Sequence, residues 1–189
     1  MNQDGREITK MFRQMTLLSE QLSVLLVTAD DLMKRNQWEK YSNTVTAYIS
    51  QHVQVPKYWN PNFLFRFFTN KDNPHILAFI SVLLDDDVDG EYRGLEEPLL
   101  TTGYFKYPGD KSTTENLEYY YAKWYGYYGD LHDHKLRVSE PGWKEKLKKS
   151  EEYPFDSFVC FARPLVALTS GKDLDEIIIK VLLSEIRKA

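Results

Sequence analysis

The sequence predicts an α+β domain, an antiparallel sheet packed with helices. Three features of its 189 residues predict it: one apolar run in mid-chain, extended segments on either side of that run, and helical periodicity toward both ends.

The run is Ile76 to Leu84, apolar at every position but Ser81. A strand with so little alternation is buried on both faces, so other elements must lie above and below it. It is taken as the central strand (76–84) of a sheet of about four to five strands. Phe63 to Phe68 is bulky and aromatic and reads as a second strand. Pro98 to Tyr107 reads as a third, with proline at its first position, where no ladder donor is required. These three form an antiparallel meander. Phe158 to Ala162 adds a further strand, broken or bent at Pro164.

Two helices are expected at the N-terminus. In the first, Arg6 to Arg35, the residues Ile8, Met11, Met15, Leu18, Leu22, Leu25, Ala29 and Leu32 alternate steps of three and four. That spacing draws one apolar stripe. Leu17, Val24 and Leu26 widen it, as suits a helix laid across its own domain. The same steps also suit a seam with a second copy, so a homodimer through this helix is the alternative. The second helix, capped by Asn36, runs from Gln37 to about Val53, with Trp38, Tyr41, Val45, Tyr48, Ile49 and His52 near one face. A middle helix opens at the capping box Ser112-Thr113-Thr114-Glu115 and stops at Gly129. A polar excursion with one short helix covers 130–152. A C-terminal helix is capped by Asp173, with Leu174, Ile177, Ile178, Val181 and Leu182 facing inward. The whole chain, 1–189, reads as one domain: a helical pair over 1–55 and sheet plus helices over 62–189.

Composition narrows the function classes. Net charge is −4, which argues against a broad nucleic-acid surface. The longest apolar runs are about ten residues, short of a membrane span. The start of the chain lacks a secretory pattern, and one cysteine, Cys160, permits no intrachain disulfide. The expectation is a soluble cytoplasmic protein with no nucleic-acid or membrane partner.

Asp85, Asp87, Asp89, Gly90 and Glu96 fit the spacing of a calcium loop. Alternate carboxylates can converge on a cation, and the terminal glutamate can bind through both oxygens. Over those twelve residues the chain resembles the EF-hand loop, which implies Ca2+ or Mg2+ as a ligand. The flanks depart from that family, since a strand leads in and Pro98 follows. The competing reading is a solvated hairpin loop. Asp130-Leu131-His132-Asp133-His134 offers further ligand chemistry without a zinc spacing.

The middle helix carries more aromatics than one face can bury. Tyr121, Trp124, Tyr125 and Tyr128 make a core face, while Tyr119, Tyr120 and Tyr127 point elsewhere. Tyr119, Tyr120 and Tyr127, together with Trp124 of the core face, are the candidate binding residues. No catalytic motif appears, so the first expectation is a non-enzymatic binding or regulatory domain acting through protein–protein contact. The alternatives are a metal-dependent hydrolase built on loop 85–96, and a small-molecule sensor with a pocket lined by Phe63, Phe65, Tyr104 and Phe161.

Overall fold

A computed structural model describes residues 5–43, 61, 63–84, 97–108, 145–148 and 157–189. They form an α+β unit: helix α1 (Gly5–Arg35), strands β1 (Glu39–Lys40), β2 (Phe63–Thr69), β3 (Ile76–Leu83), β4 (Leu99–Lys106), β5 (Glu145–Lys148) and β6 (Ser157–Pro164), then a C-terminal helix, α2, over 171–186. The sheet order is β1-β2-β3-β4-β6-β5, and every neighbouring pair is antiparallel.

The expected central strand sits where the sequence puts it. All eight residues of β3 are buried, and it pairs along its whole length with β2 and with β4. Alternation divides its side chains between two faces. Ile76, Ala78, Ile80 and Val82 face α1 and α2, joined by Phe68, Leu100, Tyr104, Val159 and Phe161 from the neighbouring strands. The opposite face carries an aromatic ladder. Phe63, Phe65, Phe67, Phe79 and Phe105 follow one another with ring centroids 5.5 to 6.4 Å apart and tilted planes. Tilted rings at that spacing avoid the unfavourable face-to-face sandwich.

Polar side chains inside the sheet are satisfied locally. Ser81 Oγ donates to the Leu64 carbonyl at 2.7 Å, and Thr102 Oγ1 donates to the Phe79 carbonyl at 2.7 Å. Each thereby avoids the desolvation cost of an unpaired hydroxyl. Gly103 is dictated by close approach: a Cβ there would run into the Val159 carbonyl oxygen and lie 2.8 Å from the Cys160 Cα.

The second N-terminal helix does not start at Gln37. Instead, Asn36 and Gln37 terminate α1. The Gln37 amide donates to the Lys34 carbonyl at 3.0 Å, and the Trp38 amide donates to the Met33 carbonyl at 3.0 Å. Gln37 takes the left-handed conformation, with φ 68°. This is a Schellman ending, closed by Met33 and Trp38, both buried. The chain then enters β1, which pairs with the end of β2. Buried Asn70 ties the two turns together, donating to the Gln37 carbonyl at 3.0 Å and accepting from the Asp72 amide at 2.7 Å. The remainder of the expected second helix, and the middle helix with its capping box, fall outside the described residues. Within 130–152, residues 145–148 form a strand, β5, and not part of a short helix.

The C-terminal helix begins three residues earlier than its sequence suggests. Ser170, not Asp173, is the N-cap. Over Leu174–Ile179 the helix widens to π geometry, with the Lys180 amide donating to the Asp175 carbonyl. The extra residue in that turn rotates the inward face. Leu174, Ile178, Ile179, Leu182, Leu183 and Ile186 are buried, while Ile177 and Val181 are only partly so. Burial beneath this helix pushes the Tyr104 hydroxyl pKa up, and nearby Glu185 adds to the rise.

A left-handed glutamine is strained where glycine is not. Gln37→Gly is expected to stabilise the fold by about 1 kcal/mol, read as a higher urea midpoint with an unchanged slope. A lower midpoint would mean that the Gln37 side chain contributes more than its backbone costs.

Candidate functional site

Helix α1 is packed over only half its length. Leu22, Leu26, Ala29 and Met33 are buried, and every residue from Gly5 to Gln21 is exposed. The expectation of a helix laid wholly across its own domain therefore holds for the second half alone. Leu17 and Val24, read as widening a buried face, are exposed too.

The packed half is held by apolar contact and by charge. Asp30 Oδ1 lies 3.2 Å from Arg66 Nε on β2, a close charge contact lacking hydrogen-bond alignment. Lys40 Nζ approaches the same carboxylate at 3.7 Å, and Arg66 donates to the Asn43 carbonyl at 3.1 Å. Both Asp30 and Arg66 are largely buried, so losing either partner would destabilise the packing of α1 on β2. The contact fixes the position of α1 along the sheet.

One face of the exposed half is apolar. Ile8, Met11, Met15 and Leu18 continue, turn by turn, the line that Leu22, Ala29 and Met33 follow into the core. Phe12 flanks them and is 66% exposed. The hydroxyls on this half turn back on the helix: Thr9, Thr16 and Ser19 each donate to the carbonyl four residues earlier. They leave the stripe apolar.

Where the stripe meets the body it opens into a groove of about 590 Å3. One wall is α1, through Leu18, Leu22 and Leu25. The other is the connection after β6, through Leu165, Val166 and Leu168, with Pro98 and Leu174. Val166 is 73% exposed. The Leu165 amide donates to the Pro98 carbonyl at 2.8 Å, which fixes this wall to the start of β4. Its rim is the α2 cap: Asp173 Oδ2 accepts from the Thr169 amide, the Thr169 hydroxyl and the Ser170 hydroxyl, at 2.8 to 3.1 Å. Those bonds, led by the Thr169 hydroxyl, hold the Asp173 carboxyl below its usual pKa.

The residues singled out from sequence fare differently. Asp85, Asp87, Asp89 and Glu96, and Tyr119, Tyr120, Trp124 and Tyr127, lie outside the described residues, as do His132 and Asp133. Among the described residues no group of three or more His, Cys, Asp and Glu side chains could hold a metal ion, and no helix is long and apolar enough to cross a membrane. The pocket expected from Phe63, Phe65, Tyr104 and Phe161 does not form. Tyr104 and Phe161 face the helices while Phe63 and Phe65 stand in the ladder on the other face, because residues of opposite parity along a paired strand point oppositely. The groove wall at 165–171 leaves one signal in the sequence, the apolar Leu165-Val166 directly after a strand-ending proline.

Compared with known protein families, curated proteins and solved structures, the chain matches none of them.

The Asp173 cap gives a pH test. Its carboxyl is held low in the fold, so its contribution is complete above the unfolded carboxylate pKa and is lost as pH falls through the lower folded value. Asp173→Asn should therefore melt below the wild type at neutral pH, with the gap closing progressively in acid. A gap independent of pH would show that the charge is irrelevant to the cap.

Proposed function

We propose that the chain is a non-enzymatic binding domain acting through protein–protein contact, with the exposed half of α1 and the adjoining groove as its contact surface. The supporting observation is the stripe itself: Ile8, Met11, Phe12, Met15 and Leu18 all stand in water on a helix whose other half is packed into a core. Clustered exposed apolar residues on one helical face are a recurrent mark of a docking surface, read by its partner at successive turns.

A helix stripe presents several side chains in a line, and a groove beside it accepts those of the partner. Docking would remove the stripe from water, which is the favourable term, while the rest of the surface keeps the free chain soluble. The polar face of the same half, with Arg6, Lys10 and Arg13, would remain in solvent.

A photo-crosslinking residue placed at Met15 tests this in the cells that make the protein. Protein adducts should form several-fold more at position 15 than at Arg13 on the opposite face. Equal yields at both positions would remove the stripe as the contact surface.

A further inference from the structure

We infer that the occupant of this stripe is a second copy of the same chain, paired antiparallel through the exposed halves of α1; this rests on the docking role proposed above and names its partner. Three features of the helix carry the inference.

The first is self-complementarity. The stripe Ile8, Met11, Met15, Leu18 has steps of three, four and three, the same read from either end. Laid antiparallel, Ile8 of one copy meets Leu18 of the other, and Met11 meets Met15. Residue i then contacts j and j contacts i, as a two-fold interface requires.

The second is charge. Residues near a two-fold axis meet their own copies, so a charge there would face its like. Met11, Phe12, Gln14 and Met15 surround the axis and none is charged. Lys10 and Arg13 project from the far side of the helix. On one flank the two Phe12 rings come together, which accounts for a phenylalanine standing 66% exposed in the single chain.

The third is direction. From Leu22 onward the face that carries the stripe is occupied by the sheet and α2. A parallel pair would bring both bodies into the same space. An antiparallel pair sends each body past the other's first turn and sets the partner's Ile8 beside Leu18, at the mouth of the groove.

Burying the exposed parts of these five side chains on both copies removes at most about 1,000 Å2 from water, the size of weak, reversible interfaces. The expected product is a reversible dimer of roughly micromolar affinity.

The test combines sedimentation with cysteine cross-linking of the full chain; Cys160 is buried in β6. Wild type should pass from monomer to dimer across the micromolar range, and Met15→Asp should stay monomeric with unchanged circular dichroism. On mild oxidation, a mixture of Ile8→Cys and Leu18→Cys chains should cross-link. Ile8→Cys alone should not, because its two copies lie about 15 Å apart along the helices. A wild type monomeric throughout, a dimer that survives Met15→Asp, or equal cross-linking by Ile8→Cys alone would each overturn the inference. A monomer whose position 15 still captures other proteins would leave the docking role standing and remove only self-pairing.

Discussion

A strand with no polar face is the constraint on which the rest of this structure depends. Every residue of β3 is buried, so the strand must be covered on both faces and paired along both sides. β2 and β4 pair with it, α1 and α2 cover one face, and the other face carries the phenylalanine ladder. The hydroxyl residues buried inside this arrangement, Ser81, Thr101 and Thr102, survive because each returns its hydroxyl to a neighbouring strand's carbonyl. The covering demand also explains the π turn in α2. Three successive isoleucines cannot share one α-helical face, and the widened turn lets both Ile178 and Ile179 reach the sheet.

Helix α1 follows from the same demand but exceeds it. Residues from Leu22 to Met33 meet the core, Asp30 meets Arg66, and the Schellman ending with Trp38 closes the helix. The preceding turns have no such support among the described residues. A helix of that length is marginal alone in water, since nucleation is its main obstacle. Here the docked half supplies the nucleus, and the free half extends from it. The stripe is thus presented on a helix anchored at one end, which suits a surface that must be ready before its partner arrives.

Where the local signal and the packing demand agree, the sequence was legible. The apolar run 76–84, the aromatic stretch 63–68 and the segment after Pro98 all became paired strands at nearly the expected bounds. The failures share a cause. Asn36 looks like a helix opener because asparagine serves both helix ends, and the left-handed residue that would have marked a stop is a glutamine. Ser170 and Asp173 are both capping residues, three apart, and only the fold shows which one accepts and which one reinforces. The four-residue pocket failed because strand parity, not chemical likeness, decides which aromatics share a face. For the site, the stripe was readable as a pattern. Its packed and open halves were not, because periodicity reports a face and says nothing of how far the core beneath it extends.

Amide hydrogen exchange along α1 is the most direct measurement of that division. In dilute solution, amides from Leu22 to Arg35 should be protected to near the global stability, while those from Ile8 to Leu18 exchange orders of magnitude faster. On concentrating the protein, protection should rise between Ile8 and Leu18 and stay unchanged elsewhere in the helix. Uniform protection from Arg6 to Arg35, indifferent to concentration, would contradict both the open half-helix and the surface it offers.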